Sequence, residues 1–324
     1  MIKITVPASS ANLGAGFDAL GLALTLYNTV WMEEADGCHI EAVDGSSIPT
    51  DETNMIYQTA KQLFLQCGRP FRGLHILQEN HIPMTRGLGS SSACLVAGLL
   101  GANTLMGSPL SRTDLLDLAA ELEGHPDNVA PAMRGGLVTS VIEGGKVHSV
   151  SVPVSDRIRF AVFVPDFELK TSVARAALPE TVSRDDSVYN LSRAALMTAS
   201  LFSGSLENLR FGVQDRLHQP YRFPMIAGAE QLFYTAYDLG AYAACISGAG
   251  PSILAIVDAT SADTFVAQAK ARLAEAELSN WDVQLYSCDA KGATVTFERR
   301  RKTDIPAAVC GVDDRFVSSH CKRQ

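Results

Sequence analysis

Residues 83–93, PMTRGLGSSSA, decide the reading of this 324-residue sequence. An apolar strand pattern (73–78) leads into the stretch, and a small-residue helical run (91–106) leads out of it. Gly87 and Gly89 carry no Cβ, so the backbone can come close to a ligand there. A helix N-terminus adds unpaired N–H groups and the positive end of a dipole, which together suit a phosphate. The hydroxyls of Ser90, Ser91 and Ser92 can donate hydrogen bonds or bind Mg²⁺, a hard cation that prefers oxygen. Pro83 would set the entry angle. Ser92 stands where a dinucleotide fingerprint needs a third glycine, and the Gly-Lys-Ser/Thr ending of a Walker loop is missing, so neither pattern applies. An NAD-dependent oxidoreductase is disfavoured on that ground. Taken alone, the loop also fits a plain tight turn followed by a serine cap.

Two more glycine-bearing turns lie between strand patterns: PASSANLGAGFD at 7–18 and SGAGPS at 247–252. Each could be a simple connection. Three in one chain point to backbone approaching a shared ligand.

Around these turns the patterning predicts strands at 2–7, 20–26 and 29–33, with Tyr27-Asn28 as a turn between the last two. A helix is expected over 54–67, stopped by Gly68, and another over 113–122. Strands at 136–142 and 146–152 are joined by Gly144-Gly145, a hairpin signal, and a strand at 157–164 follows. Helices come next near 187–203, 206–211 and 225–239. The chain then reads as strands at 241–247 and 253–257, a helix at 262–276, and strands at 283–288 and 294–299. This order implies an α+β sandwich with helices on one sheet face, and a boundary near 153–156. Residues 303–324 carry no clear period and read as a loosely packed tail.

Apolar residues make up 47% and charged residues 19%, the composition of a globular chain. A formal net charge of −8 argues against a nucleic-acid partner. The one dense basic run, 299–302, reads as the solvated end of the last strand. MIKITVPASS has no signal-peptide core, and no window approaches the ~20 apolar residues of a membrane span. Seven cysteines without a CxxC pair disfavour a disulfide framework and a zinc site, so the expected location is a reducing cytoplasm.

With its three turns in this order, the chain resembles the GHMP kinase superfamily, through PASSANLGAGFDALG (7–21), PMTRGLGSSSA (83–93) and SGAGPS (247–252). Within it the sequence is similar to the homoserine kinases, through NLGAGFDALGLAL, GHPDNVAPA (124–132), TSVARAALP (171–179) and HQPYR (218–222). The resemblance implies two domains over 1–155 and 156–302, with 303–324 as a tail. The first would be of the ribosomal-protein-S5 type, known for a left-handed β-α-β crossover, and the second a ferredoxin-like α/β sandwich. It also implies ATP and Mg²⁺, phosphorylation of the L-homoserine hydroxyl in threonine biosynthesis, and a cleft between the domains as active site. A homodimer is left open. The alternatives are another GHMP small-molecule kinase and a non-catalytic nucleotide sensor on the same fold.

The resemblance places ATP against Asn54, Pro83, Arg86, Gly87, Leu88, Gly89, Ser90, Ser91 and Ser92. Ser91 and Glu121 would hold the metal, with Glu123 as the competing carboxylate. Arg175 and Arg222 correspond to the arginines that hold the substrate carboxylate, a task suited to a planar fork of donors. Asp18, helped by Asn12, would take the ammonium, while Thr171, His125 and Gly248 line the pocket. Asn128 and Arg175 would contact the hydroxyl, and Asp127 is the candidate base. Plainer readings exist: solvated arginines, an Asn/Asp turn at 12 and 18, and an N-cap at Asn54.

Overall fold

A computed structural model describes residues 1–297; the basic run at 299–302 and the stretch 303–324 lie outside them. The elements run β1 (Ile2–Ala11), β2 (Leu20–Glu34), β3 (Gly37–Ala42), α1 (Met55–Gln66), β4 (Gly73–Asn80), α2 (Ser90–Leu105), α3 (Arg112–Glu123), α4 (Pro126–Arg134), β5 (Leu137–Glu143) and β6 (Lys146–Val152). They continue as β7 (Ile158–Pro165), α5 (Thr171–Ala176), α6 (Arg184–Ser203), α7 (Leu209–Gly212), α8 (Gln219–Arg222), α9 (Ala229–Asp238), β8 (Ala243–Ile246), β9 (Ile253–Asp258), α10 (Ala262–Glu275), β10 (Trp281–Tyr286) and β11 (Thr294–Phe297). The result is an α+β fold with two sheets.

The first sheet has the order β11-β1-β2-β4-β3, with β5 pairing β2 and β6 pairing β5. β3 and β4 run parallel on either side of α1, which makes that segment the crossover. β11, in the stretch assigned by sequence to the second domain, pairs with β1. The chain therefore returns to its first sheet before residue 297.

The expected turn at Tyr27-Asn28 is absent, and β2 runs through it unbroken. Its pairing with β1 slips between Pro7 and Ala8, whose partners are Tyr27 and Leu24. Such a bulge bends a strand without ending it. Asn28 is buried there and remains satisfied: its Oδ1 accepts from Gln78 at 3.2 Å. A polar residue in a strand centre reads as a turn only while its partners are out of view.

The second sheet has the order β10-β7-β9-β8, antiparallel throughout. Numbered within that sheet, this is the 4-1-3-2 arrangement of a ferredoxin-like split βαβ unit. Successive residues of β7 feed two cores. Phe160 and Val162 join the cluster that holds the first sheet together with Met197 and Leu201 of α6. Ala161 and Phe163 join the cluster beneath α9 and α10. Helices thus cover both faces of this sheet, where one face was expected. Burial on both sides explains why IRFAVFVP reads as a continuous apolar run rather than an alternating one.

The helix α4 goes beyond the sequence reading, which left GHPDN unassigned to any element. Pro126 at its first turn is pre-set for helix, whereas Pro131 in its interior hides the pattern. Pro131 cannot donate to the Asp127 carbonyl. Gly21 of β2 packs against that carbonyl instead, where a Cβ would lie 1.8 Å away.

Candidate active site

The three glycine turns meet. Ser247 donates its hydroxyl to the Gly87 carbonyl at 2.7 Å and lies 2.8 Å from the Ser10 hydroxyl. The Gly248 amide donates to Ala11 at 3.0 Å, and the Ser9 amide donates to Leu88 at 3.1 Å. Leu88 itself is buried in the first core and pins the loop from below. Gly87 and Gly89 have φ of +72° and +68°, a region that costs a residue with a Cβ. A Cβ at Gly87 would sit 2.2 Å from the Ser247 carbonyl oxygen, and one at Gly89 would sit 2.0 Å from Ser9 Oγ. Each glycine is required by close approach as well as by backbone angle.

α2 opens from Gly89, whose αL cap supplies no side-chain hydrogen bond. The first N–H groups of a helix have no intrahelical acceptor, so this end is left able to receive an anion. Arg86 has a second role beside lining the cleft. Its guanidinium donates to the carbonyls of Pro165 (2.9 Å) and Asp166 (2.6 Å) and approaches Glu168 at 3.5 Å, tying the loop to the second sheet.

The carboxylate beside the loop serines is Glu123, the competing candidate, rather than Glu121. Ser91 and Ser92 donate to Glu123 at 3.2 and 2.9 Å. Glu121 is exposed and does not line the cleft. Two residues apart on a helix point about 200° apart, so only one of the pair can face α2. Two hydroxyls and a carboxylate are hard oxygen donors and fit Mg²⁺. Glu123→Gln is expected to reduce kcat about 100-fold and raise the Mg²⁺ needed for half-activity, with Glu121→Gln near wild type. Titrating Mg²⁺ in a steady-state assay of both variants checks this.

The opposite wall is built from α5, α8 and the first turn. Arg175 makes a two-pronged pair with Asp18 at 2.9 and 2.8 Å. Thr171 and Arg175, four residues apart on α5, share one face and both line the cleft. Asn12, at φ +68°, donates to the Gly248 carbonyl at 2.7 Å and accepts from the Asp18 amide at 3.0 Å. The turn reading of Asn12 and Asp18 thus holds together with their place in the cleft.

Arg222 is 1% exposed, yet among the described residues it has no carboxylate paired with it. Its Nη1 donates to the Gly248 carbonyl and to His218 Nδ1, both at 3.1 Å, while its buried Nε finds no acceptor. Burial, with Arg175 nearby, lowers its pKa to about 10 despite Asp18, Asp215 and Asp127. His218 was missed as a site residue, although HQPYR places it one helical turn before Arg222. Its Nε2–H donates to the Gly14 carbonyl at 2.7 Å, which leaves Nδ1 to accept from Arg222. Burial lowers the His218 pKa and keeps the ring neutral.

His125 Nδ1 lies 2.6 Å from Asp127 Oδ1, and Asp127 is 1% exposed. Asn128 accepts from Ser9 Oγ at 2.9 Å, which joins α4 to the first turn. Burial opposes charge on His125. The Asp127 hydrogen bond and the charges of Asp127, Glu123 and Asp18 outweigh it and raise the pKa above 6.5. A raised folded-state pKa gives stability that is full below an unfolded value of about 6.5 and is lost as pH climbs through the folded value. The melting-temperature gap between wild type and His125→Gln should therefore be widest below about pH 6.5 and narrow above it. A gap that widens with pH would remove the proposed charge pair.

Together these residues line one cleft of about 110 Å³, from Asn12, Asp18 and the loop 85–91 to Glu123, His125, Asp127, Asn128, Thr171, Arg175, Arg222 and Gly248. Thr85 lines it and was not anticipated. Asn54, Pro83 and Ser92 do not line it. Asn54 caps α1, accepting from the Ile56 and Tyr57 amides, as its plainer reading had it. It stays beside the site through Met55, whose sulfur lies 3.5 Å from Ser91 Oγ.

A helix start without a side-chain cap and a buried arginine without a carboxylate partner among the described residues thus belong to one cleft on this two-sheet frame. The chain belongs to the GHMP kinase family. Residues 54–136 match the family's N-terminal domain and 196–275 its C-terminal domain. Within the family it groups with the homoserine kinases. It is 46% identical to the homoserine kinase of Caldicellulosiruptor saccharolyticus over 91% of this chain and 96% of that one. It is 42% identical to that of Clostridium beijerinckii over 91% and 98%. The crystal structure of a homoserine kinase from Cytophaga hutchinsonii superposes with a TM-score of 0.79 at 29% identity, covering 91% of this chain and 97% of that one.

Proposed function

We propose that this chain transfers the γ-phosphoryl group of ATP to the side-chain hydroxyl of L-homoserine, giving O-phospho-L-homoserine and ADP in threonine biosynthesis. The observation that carries the reading is Arg222, a buried guanidinium with an unmet donor, set across the cleft from an uncapped helix N-terminus. The two walls call for opposite ends of a reaction: a polyphosphate on α2 and a small carboxylate on α8.

In this reading the ATP phosphates rest on the amides at the start of α2 and on the 86–91 backbone. Ser91 and Glu123 would hold Mg²⁺, which when bound supplies charge neutralisation on the phosphates. The substrate carboxylate takes the free prongs of Arg222, held in place by neutral His218. Its ammonium takes Asp18, which already faces the cleft, and Arg175 stays between Asp18 and the hydroxyl. Asn128, fixed by Ser9, positions the hydroxyl. Asp127 is the candidate acceptor of its proton, with His125–Asp127 as the nearby charged pair. Phosphoryl transfer through a loose transition state depends on positioning and charge stabilisation more than on a strong base. Homoserine has the acid, the amine and the alcohol for these three groups, whereas a sugar leaves Arg222 unpaired.

Five described cysteines are free thiols, which supports a cytoplasmic setting. No helix among the described residues is long and apolar enough to cross a membrane.

The direct test offers homoserine, mevalonate and galactose with MgATP to purified protein and follows ADP release. Release dependent on homoserine alone is the expected result. Equal release with all three, or none with homoserine, would overturn the proposal.

A further inference from the structure

Phe17 belongs to neither apolar core. Every other phenylalanine among the described residues joins one of the two cores or is exposed, whereas Phe17 is half-buried and stands outside both. Its ring meets polar groups instead. The ring centroid lies 5.4 Å from Arg222 Cζ and 5.5 Å from Arg175 Cζ. The His218 ring stacks with it, the two centroids 5.2 Å apart and the planes at 22°. A cation within about 6 Å of an aromatic centroid is attracted by the negative face of the ring. Both arginines of the cleft therefore fall within reach of one ring.

The two guanidinium groups repel each other: after burial, Arg175 is the next cause of the lowered Arg222 pKa. A carboxylate set between them would relieve that repulsion, but it would also occupy the N–H donors that an incoming anion must find. Arg175 shows this outcome, since Asp18 takes both of its Nη atoms. An aromatic ring attracts a guanidinium without using up a hydrogen-bond donor. Arg222, against that ring, keeps its Nε without an acceptor.

The turn that carries Phe17 is strained and is held by the same contacts. Asn12, Leu13 and Asp18 have φ of +68°, +38° and +53°, left-handed values that cost a residue with a Cβ. Such a turn persists only where its surroundings over-determine it. Here the Phe17–His218 stack acts with the bond from His218 Nε2 to the Gly14 carbonyl to seat the turn on α8. Residues 17 and 18 then present a ring and a carboxylate to the same arginine, Arg175. We infer that Phe17 is a positioning residue of the acceptor wall, whose ring holds Arg175 and Arg222 in their separate places and leaves Arg222 free to take the acceptor's carboxylate. Phe17 does not itself line the cleft, so it acts through the arginines. The inference rests on the reading of Arg222 as the carboxylate site.

Steady-state kinetics on the full chain tests this. Phe17→Leu keeps much of the apolar volume and removes the ring. It is expected to raise the KM for homoserine roughly 5- to 30-fold, the range for a partly to fully desolvated cation–π pair, with the KM for ATP within about twofold of wild type. Phe17→Tyr keeps the ring face and should stay close to wild type. Phe17→Met, unbranched and of similar volume, gives the same reading should the leucine variant not fold. Combining Phe17→Leu with Arg222→Met separates positioning from plain support. The double variant should stay within about threefold of the homoserine KM of Arg222→Met alone, because the ring then has no Arg222 to hold. Effects that multiply in the double variant, a Phe17→Leu that raises both KM values alike, or a Phe17→Tyr as damaged as Phe17→Leu would overturn the inference. An inert Phe17→Leu beside a damaged Arg222→Met overturns it and leaves the acceptor reading standing, whereas an inert Arg222→Met overturns both.

Discussion

Replacing Arg222 with methionine is expected to raise the KM for homoserine at least 100-fold while the KM for ATP changes by no more than about threefold. Truncating one member of a buried, hydrogen-bonded charge pair costs about 2–5 kcal/mol, or roughly 30- to 4000-fold. Arg222 falls in that range because it is 1% exposed and water cannot replace it at a bound carboxylate. In the proposed reading Arg222 serves the acceptor and not the ATP phosphates, so ATP binding is expected to stay nearly intact. Folding should survive, because methionine fills much of the same volume and removes a buried charge that has no carboxylate partner. The lost bonds to Gly248 and His218 act in the other direction, and a melting temperature within a few degrees of wild type is expected. Arg222→Lys should fall between, since it keeps the charge but not the planar fork. Initial rates with each substrate varied in turn provide the measurement. An unchanged homoserine KM would remove Arg222 from the carboxylate site.

Gly87→Ala is expected to damage both turnover and stability. Its φ of +72° costs an alanine about 1–2 kcal/mol. The added carbon would also lie 2.2 Å from the Ser247 carbonyl oxygen, a backbone atom that cannot swing aside. The loop must then part from the 247–252 turn, losing the Ser247–Gly87 bond at 2.7 Å. The combined loss is about 3 kcal/mol or more, which lowers the melting temperature by roughly 6–10 °C. A phosphate cradle displaced by an ångström should lose at least 100-fold in kcat/KM for ATP. Calorimetry and ATP-varied kinetics read the two effects separately. Gly144→Ala is the control: at the tip of the β5–β6 hairpin its φ is also positive, but a Cβ there meets nothing within 4 Å. If both variants behaved alike, backbone angle alone would explain the result and the seam of turns would not.

Much of the site was legible because its backbone is specified locally. A glycine pair before a serine run, a polar turn with Asn12 and Asp18, and His125-Pro126-Asp127-Asn128 each carry their chemistry within a few residues. The strands β7, β8 and β9 of the second sheet were equally plain, since burial on both faces leaves largely apolar runs. Less was legible where polar or helix-breaking residues serve buried structure. Asn28 looked like a turn because its partner Gln78 is fifty residues away. α4 was invisible because Pro131 contradicts helix propensity and only Gly21, more than a hundred residues earlier, makes room for it.

By itself the sequence determined the kinds of groups present: a glycine loop before a serine-rich helix start, a polar turn holding Asn12 and Asp18, and two arginines, 175 and 222, in separate motifs. Its motifs also determined the family. Tertiary structure alone decided which of two glutamates faces the loop serines, since 121 and 123 differ only in the direction α3 gives them. It also decided that Arg175 is paired with Asp18 while Arg222 is buried with no carboxylate partner among the described residues. Composition cannot separate those two arginines. Their difference lies in desolvation and in neighbours brought from residues 14, 18 and 248, and such distances exist only after folding.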